Sequence, residues 1–367
     1  MSVATYYHQL SHSGGAERMV CLLATAIAQK SGNCHLITWD DEKCVPFYDI
    51  GSNVVYAPLG KTGGFYGKLK KIWRLVRYLR SNSITTLIGF VMSGDKAVYM
   101  AAKISGVNLV VAERNAPAIY EIKYGLWQRK MSFNMMRFAD RITVQMPAYR
   151  DAYPQYLRER IRVIPNPVLV PRNFAEPAKS NNGNYNLLYH GRLDLFQKQL
   201  DILLKAFALV SKEFSNWNLV IMGDGEGRDD LNLLSSQLGI TEQFQLMPAR
   251  ESTLEVISKA HLYVMPSRWE GFPNSLAEAM AMGLPAVGYR NCSGVADLIE
   301  EGRSGWLADG NGNIKSLANE LSAAMRNGDE RQNRGLAARD AMRKYKPSEQ
   351  LKKWEEVLDE IECESSK

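Results

Sequence analysis

Short apolar runs alternate along the chain with longer stretches whose apolar residues recur at helical spacing. In the first half the apolar runs lie at residues 3–10, 34–38, 85–90, 108–112 and 141–145. In the second half they lie at residues 186–190, 217–222, 244–247, 261–265 and 286–289. Such runs are typical of strands buried on both faces of a parallel sheet, which helices connect. The pattern predicts an α/β protein with two doubly wound, Rossmann-like sheets.

Helical periodicity predicts the connecting elements and the end of the chain. The helical stretches lie at residues 16–29, 199–214, 229–238, 253–259, 275–282, 314–325, 330–345 and 347–361. Proline, asparagine and glycine are concentrated at residues 164–167 and 171–183, and this composition predicts a linker. The predicted domains are therefore residues 1–167 and 168–345, followed by a C-terminal helical segment at residues 346–367. A chain of 367 residues fits two domains.

Composition narrows the class of protein. The chain is 46% hydrophobic and 23% charged, which is typical of a folded protein. Its five cysteines form no CxxC pair, so neither a disulfide framework nor a structural zinc site is predicted. The N-terminal residues lack the basic and apolar segments of a signal peptide, and no run reaches the ~18 apolar residues of a membrane span. We expect a cytoplasmic protein, at most bound to a membrane surface.

The net charge is a modest +6, but basic residues are concentrated in one segment of the chain. Residues 67–81 read GKLKKIWRLVRYLRS, and no acidic residue occurs between Asp49 and Asp95. Helical spacing puts apolar side chains on one face: Leu69, Ile72, Leu75, Val76 and Leu79. The remaining positions carry cations and an aromatic residue: Lys68, Lys70, Lys71, Trp73, Arg74, Arg77 and Arg80. The cationic side predicts a contact with an anionic membrane or with a lipid diphosphate, and the alternative is an ordinary solvated helix face.

Loops after predicted strands carry the candidate chemistry. Gly14 and Gly15 precede the first helix, where backbone N–H groups can approach a phosphate or form an ordinary tight turn. Arg192 and Lys198 follow the first strand of the second half and are suited to binding a diphosphate from two sides. Ligands of doubly wound sheets bind at this carboxyl edge.

The segment EGFPNSLAE, at residues 270–278, contains two glutamates. Glu270 precedes a predicted helix and Glu278 lies in its first turns. The spacing from Ser275 to Glu278 also matches a capping box, which is the purely structural interpretation. A carboxylate accepts hydrogen bonds from two hydroxyls at once, so the pair is suited to the two sugar rings of a nucleotide sugar.

The order of these motifs resembles the retaining nucleotide-sugar glycosyltransferases of family 4, which have the GT-B fold. The matching segments are Gly14-Gly15-Ala16-Glu17-Arg18, Ile164-Pro165-Asn166-Pro167, Gly191-Arg192-Leu193 with Lys198, Gly223-Asp224-Gly225, and residues 270–278. The resemblance implies two Rossmann-like domains that face each other across a cleft, with the last helix, around Trp354, returning to the first domain. It covers nearly the whole chain.

The resemblance also implies roles for individual residues. Arg192 and Lys198 would bind the diphosphate, Glu278 the ribose, and Glu270 the donor sugar. Backbone groups at the start of the helix would complete the donor site: Phe272, Pro273, Asn274, Ser275 and Leu276. Gly14 and Gly15 would approach the phosphate from the other domain. Many relatives have a catalytic histidine where this chain has Glu113 and Arg114, so these two are additional active-site candidates.

The implied activity is transfer of a hexose or N-acetylhexosamine, with retention, from a uridine diphosphate sugar. The whole-chain pattern resembles bacterial N-acetylgalactosaminyltransferases and O-antigen enzymes, which implies a polyprenyl-diphosphate-linked glycan as acceptor, at the inner face of the bacterial inner membrane. No metal or cofactor is expected, and the acidic triplet Asp40-Asp41-Glu42 is interpreted as a solvated turn.

Three other functions account for parts of the sequence. A sugar-nucleotide epimerase has the same fold and donor, and it remains the alternative. A dehydrogenase is disfavoured because Gly14-Gly15 does not complete GxGxxG. Nucleic-acid binding is not expected, since the basic helix alone lacks aromatic platforms and a wide basic surface.

Overall fold

The computed structural model describes residues 1–11, 14–63, 66–90, 95–180, 182–250 and 252–365. The chain divides into two compact units. The first comprises Met1–Asn166 and Ser348–Lys367, and the second comprises Pro167–Pro347. Each unit is a parallel sheet covered by helices, so the predicted fold class, two Rossmann-like domains, is confirmed.

In the described part of the first unit, the sheet has seven parallel strands: β1 (Val3–Tyr6), β2 (Cys34–Thr38), β3 (Val54–Pro58), β4 (Thr86–Phe90), β5 (Asn108–Ala112), β6 (Arg141–Val144) and β7 (Ile161–Val163). Their order is β3-β2-β1-β4-β5-β6-β7. The helices that connect them are α1 (Gly15–Ser31), α2 (Gly67–Ser81), α3 (Lys96–Ser105), α4 (Ile119–Ile122), α5 (Leu126–Met136), α6 (Pro147–Asp151) and α7 (Gln155–Arg158).

In the described part of the second unit, the sheet has six parallel strands: β8 (Tyr185–His190), β9 (Trp217–Met222), β10 (Phe244–Met247), β11 (Leu262–Met265), β12 (Ala286–Tyr289) and β13 (Gly305–Ala308). Their order is β10-β9-β8-β11-β12-β13. The helices are α8 (Leu195–Lys198), α9 (Leu200–Val210), α10 (Arg228–Gln237), α11 (Leu254–Ser258), α12 (Asn274–Ala281), α13 (Ser293–Ala296), α14 (Ile314–Arg326) and α15 (Gly328–Met342). They are followed by α16 (Pro347–Ser365), which belongs to the first unit. Short 3₁₀ turns lie at Thr241–Gln243 and Arg343–Tyr345.

The direction of the crossovers decides which face of the first sheet each helix covers. The connection from β1 to β2 runs one way across the sheet, whereas those from β3 to β4, β4 to β5 and β5 to β6 run the other way. Because parallel crossovers are right-handed, α1 covers one face and α2, α3 and α5 cover the opposite face. The side chains agree, since Arg80 of α2 donates to the Ile104 carbonyl of α3 at 2.6 Å.

The last helix, α16, packs on the first unit. Trp354, Val357 and Ile361 are buried in one cluster with residues of α1 and the first sheet. The Trp354 ring stacks on Phe90 at 6.2 Å, and Arg141 pairs with Glu360 at 2.9 Å. The helix is therefore part of the core of the first unit.

Residues 171–183, predicted to be a linker, instead pack along the second unit. Ala175 donates to the Met282 carbonyl at 2.7 Å, and Arg339 donates to the Pro171 carbonyl at 2.6 Å. The buried Arg331 donates to the Pro177 carbonyl at 3.1 Å. These side chains satisfy the backbone of an irregular segment, so the proline-rich composition here marks a packed loop; Asn181 lies outside the described residues.

No helix within the described ranges is both long enough and apolar enough to cross a lipid bilayer.

Candidate active site

A buried ion pair lies near the carboxyl edge of the second sheet. The Lys198 Nζ atom is 2.5 Å from Glu270 Oε1, and the two side chains are only 14% and 8% exposed. Charges this far from water are tolerated because each compensates the other. The structure thus brings together a cation and a carboxylate that are 72 residues apart in the sequence.

Local backbone geometry positions Lys198 at the end of a short helix. Asp194 caps α8 by accepting a hydrogen bond from the Gln197 N–H at 2.9 Å. Gln199 then takes a left-handed conformation, with φ of 51°, which ends α8 and allows α9 to start in a new direction. Lys198 is therefore the last residue before a sharp change of chain direction.

The loop before α12 is tied to α8 by its backbone. The Arg268 N–H donates to the Gln197 carbonyl at 2.8 Å, and the Gln197 side chain donates to the Trp269 carbonyl at 3.2 Å. These two bonds hold the segment that carries Glu270 against the segment that carries Lys198.

Glu278 belongs to the same cluster through two buried rings. His190, at the end of β8, packs edge-on against Tyr263 of β11, with ring centres 5.5 Å apart. Burial lowers the pKa of His190, and the charge of Glu278 opposes that shift. Burial raises the pKa of Tyr263, and the charges of Glu270 and Glu278 raise it further. Both glutamates thus act on one tyrosine, so the two carboxylates lie near the same buried ring.

The capping-box interpretation of Ser275 and Glu278 is wrong. Helix α12 begins at Asn274 with Pro273 at the N-cap position, and no side chain caps it. Ser275 lies inside the first turn, where its hydroxyl interacts with Tyr263. The N–H groups of Asn274, Ser275 and Leu276 belong to this first turn, where backbone donors lack helical partners.

Arg192 lies on the loop that follows β8, and its side chain is exposed. The loop is held by the Tyr189 hydroxyl, which donates to the Arg192 carbonyl at 3.0 Å. It also contacts the Gly223-Asp224-Gly225 loop so closely that a Cβ on Gly223 would lie 1.9 Å from the Gly191 carbonyl oxygen. Glycine at position 223 is therefore required for the two loops to meet.

The first unit presents Gly14 and Gly15 at the start of α1. Gly14 is the N-cap residue and Gly15 the first helical residue. The Glu17 carboxylate lies beside them, since a Cβ on Gly14 would be 2.1 Å from Glu17 Oε2. The preceding loop residues His12 and Ser13 lie outside the described residues. The Glu17 carboxylate therefore lies at the N-terminus of α1. The sequence predicts that the backbone of Gly14 and Gly15 approaches a phosphate at this same end.

Glu113 and Arg114 follow β5, and their side chains have different neighbours: tyrosine hydroxyls for Glu113 and two aromatic rings for Arg114. Glu113 is buried, accepts hydrogen bonds from Tyr120 at 2.8 Å and Tyr153 at 3.3 Å, and has its pKa raised by burial. The Arg114 guanidinium lies over the rings of Phe90, at 4.7 Å, and Trp354, at 5.3 Å. Burial lowers the pKa of Arg114 to about 9. In the structure both side chains pack within the first unit.

Helix α2 is amphipathic, but its faces differ from the predicted ones. Leu75 and Leu79 are buried, Ile72 and Val76 are partly buried, and Leu69 is exposed. Arg74 donates to the Leu59 carbonyl at 2.8 Å, and Lys71 lies over the Trp39 ring at 5.0 Å.

The exposed side of α2 therefore combines apolar and basic groups. Its exposed residues are Lys68, Leu69, Lys70, Trp73, Arg77 and Arg80, with Tyr66 just before the helix. The cationic stripe predicted from the sequence is narrower than expected, because Lys71 and Arg74 are used within the unit.

The interpretation of Asp40 as part of a solvated turn is also wrong. Its side chain is buried and accepts hydrogen bonds from the Leu10 N–H at 2.8 Å and the Tyr56 hydroxyl at 3.2 Å. Asp41 and Glu42 are exposed. Its position just after the buried strand β2 indicates that Asp40 is buried. The two exposed acidic residues that follow it made the whole triplet look like a solvated turn.

Sequence reasoning missed His190 and Tyr263. The His190 Nε2 atom is buried and has no hydrogen-bond partner among the described residues. His190 ends β8, and its position at the carboxyl edge of a parallel sheet is the signal that could have identified it. Tyr263 lies inside the neighbouring strand β11, where the sequence shows only an apolar run. Together with Lys198, Glu270 and Glu278 they form the polar cluster of the second unit.

Two family models match the chain in succession. The model "Glycosyltransferase Family 4" matches residues 13–170, and "Glycosyl transferases group 1" matches residues 172–341. The chain belongs to the GT-B glycosyltransferases. The two models meet within a few residues of the boundary between the two compact units.

Relatives of this glycosyltransferase match over most of its length. An uncharacterized glycosyltransferase of Haemophilus influenzae is 27% identical, over 89% of this chain and 90% of its own. A Campylobacter jejuni enzyme is 25% identical, over 95% of this chain and 96% of its own. That enzyme is an α-1,4-N-acetyl-D-galactosaminyltransferase that acts on a glycan linked to undecaprenyl diphosphate. These matches do not support the epimerase alternative.

Solved structures share the fold of this glycosyltransferase. Anabaena Alr3699/HepE, crystallised with UDP and glucose, superposes with a TM-score of 0.79 at 17% identity. The superposition covers 98% of this chain and 99% of the other. At this level of identity the likeness concerns the fold.

Proposed function

We propose that this glycosyltransferase moves a hexose or N-acetylhexosamine from a uridine diphosphate sugar to a polyprenyl-diphosphate-linked glycan. The observation that carries the proposal is the cluster of Lys198, Glu270 and Glu278 at one edge of the second sheet. The Campylobacter relative, which uses a lipid-linked glycan, supports the acceptor class.

The proposed donor site contains cations for the diphosphate of the nucleotide sugar and carboxylates for the hydroxyls of its two sugar rings. Lys198 and the exposed Arg192 supply positive charge for the diphosphate, and the N–H groups at the start of α12 add donors to it. Glu278 accepts hydrogen bonds from the ribose and Glu270 from the donor sugar. In the structure Glu270 pairs with Lys198, so the diphosphate competes with a carboxylate for that cation.

The same donors favour the transition state. As the bond from the anomeric carbon to the diphosphate breaks, positive charge develops on the sugar and negative charge on the leaving phosphate. Groups already directed at that phosphate stabilise it more strongly as its charge grows, which is the condition for catalysis. Loss of one such donor lowers the rate by about 10²–10³ in comparable sites.

The proposal extends to the stereochemistry of transfer and to the use of metal. We favour retention by attack from the face of the leaving group, with the departing phosphate accepting the proton of the acceptor. The cations of the chain neutralise the diphosphate in this scheme, so activity is expected to persist in EDTA. The anomeric configuration of the product, read from its proton coupling, tests retention.

The exposed side of α2 is proposed to contact the acceptor at the inner leaflet of an anionic membrane. Lys68, Lys70 and Arg77 provide charge, while Leu69 and Trp73 provide apolar surface that favours the membrane interface. Arg74 and Lys71 support the helix through contacts inside the unit rather than through the acceptor.

A thermal-shift panel of UDP- and GDP-sugars tests the donor site. We expect one UDP-sugar to raise the unfolding temperature of the wild type, and Glu278→Ala and Lys198→Ala to lose that shift. Glu255→Ala, which removes an exposed carboxylate paired with Lys259, is the matched control and keeps it. A shift that survives in both site variants would show that the donor binds elsewhere.

A further inference from the structure

A second surface of the first unit, along α5, combines exposed apolar and basic side chains as the exposed side of α2 does. A groove of about 720 Å³ lies along α5 and is bordered by the aromatic and apolar side chains of Trp127, Met131, Phe138 and Tyr156. Trp127 is 84% exposed, and its neighbour Leu126 is 83% exposed. Two adjacent large apolar side chains exposed to this degree mark an interaction surface rather than a chance exposure.

The groove carries positive charge without compensation among its own residues. Lys130, Arg137 and Arg160 line it, and none of its lining residues is acidic. The Arg137 guanidinium lies over the Tyr156 ring at 5.3 Å, and Arg160 donates to the Arg137 carbonyl at 2.9 Å. Two of the cations are therefore held in place at the rim of an apolar surface, which suits an anionic amphiphile.

The groove and α2 belong to one layer of helices. The crossovers place α2, α3 and α5 on the same face of the first sheet, and Lys103 of α3 lies over the Phe138 ring beside the groove at 4.5 Å. Within this layer α3 also exposes apolar side chains, Met100 and Ile104. Exposed apolar side chains and cations thus recur on α2, α3 and α5. This distribution fits an extended surface, such as a membrane, better than a small-molecule ligand.

We propose that the α5 groove is a second membrane-binding element, which takes anionic phospholipid of the bilayer that α2 contacts. This inference rests on the membrane contact in the proposed function and extends it from one helix to the whole layer. Leu126 and Trp127 enter the interfacial region, and Lys130, Arg137 and Arg160 bind lipid phosphates. The adjacent exposed side chains of Leu126 and Trp127 suit insertion into the interfacial region of a bilayer, so a lipid surface is favoured over a nucleic acid.

The test is co-sedimentation of the full chain with phosphatidylcholine vesicles that contain or lack phosphatidylglycerol. The double variant Leu126→Ser/Trp127→Ser is expected to reduce partition into the anionic vesicles at least tenfold. Lys130→Gln should reduce it about fivefold, with little effect on neutral vesicles. Leu22→Ser, which removes an exposed leucine from α1 on the opposite face, is the control and should bind as the wild type does.

Comparison with α2 separates this inference from the proposed function. All variants should keep the wild-type unfolding temperature and the donor-induced thermal shift, because the substitutions are on the surface of the first unit. If Lys68→Gln/Lys70→Gln/Arg77→Gln abolishes vesicle binding while the α5 variants bind normally, the α5 inference is overturned and the α2 contact stands. If the wild type does not bind vesicles, both membrane contacts are wrong and the donor site is unaffected.

Discussion

Lys198 and Glu270 are both shielded from water, so each side chain depends on the other for its charge to be tolerated. A buried pair of this kind is a structural liability, because removing one partner leaves an uncompensated buried charge. The stability and the activity of the enzyme can therefore be separated by experiment at these two positions.

Lys198→Met is expected to lower the free energy of unfolding of the second unit by about 3 kcal/mol, because it leaves the Glu270 carboxylate buried without its cation. Lys198→Met/Glu270→Gln should regain most of that loss while transfer activity stays absent. Urea denaturation and a donor-turnover assay measure the two quantities. Equal stability of the wild type and the single variant would show that the pair is not coupled.

His261 gives the second unit a pH dependence that is independent of the donor site. The ring is buried, its Nδ1 accepts from the Asn186 N–H at 2.8 Å, and burial lowers its pKa to about 4. Since the unfolded chain takes up a proton near pH 6.5 and the folded one only near pH 4, stability is complete above pH 6.5 and falls as the pH drops between these values.

Between pH 7.5 and 5 we expect the second unit to lose about 2 kcal/mol through His261. Urea denaturation at the two pH values measures the change. His261→Gln, which cannot take up a proton, should show a smaller difference between the two pH values. An unchanged difference in that variant would assign the pH dependence to other groups.

At the scale of elements, a contact between two loops holds the segment that carries Arg192. The Gly223 loop and the Gly191 loop meet with their backbones in contact, and Gly191 has a φ of 147°. Neither loop has room for a side chain at this point.

Gly223→Ala is expected to separate the loops, because its Cβ would overlap the Gly191 carbonyl oxygen, a backbone atom that has no rotamer to change. We predict a lower unfolding temperature of the second unit and a weaker donor-induced shift. Gly328→Ala is the control, since its Cβ would meet nothing closer than 3.6 Å. Normal donor binding by Gly223→Ala would contradict the account of this loop.

The elements also show what could be predicted from the sequence. Strands β2, β5, β9, β10 and β12 were predicted with the observed bounds, because each is a continuous apolar run. Strands β3, β7 and β13 were not predicted, and each lies at an edge of its sheet; the fourth edge strand, β10, is an apolar run and was predicted. Edge strands pack against one neighbour only, so their sequences need less hydrophobic regularity.

In the candidate site, too, some features could be predicted from the sequence and others could not. The segments that carry Arg192, Lys198, Glu270 and Glu278 were predicted from motif order, since local turn chemistry and spacing are visible in the sequence. The Lys198–Glu270 pair, the rings of His190 and Tyr263, and the use of Arg74 inside the first unit depend on contacts between residues that are distant in sequence. Such contacts exist only after folding.

At the scale of the whole molecule, the chain is two Rossmann-like units with different chemistry. The second unit contains the cations and carboxylates of the proposed donor site, and the first exposes basic and apolar side chains along a layer of helices. The last helix follows the second unit in sequence but belongs to the core of the first. The chain therefore passes between the units twice.

The central claim is that Arg192, Lys198, Glu270 and Glu278 bind one nucleotide sugar. A crystal structure of the enzyme with the UDP-sugar selected by the thermal-shift panel tests it most directly. The account predicts Arg192 and Lys198 within about 3.2 Å of the diphosphate oxygens, Glu278 at the ribose hydroxyls and Glu270 at the donor sugar. A structure in which the diphosphate lies away from Lys198, with the Lys198–Glu270 pair unchanged and Glu278 not in contact with the ribose, would contradict it.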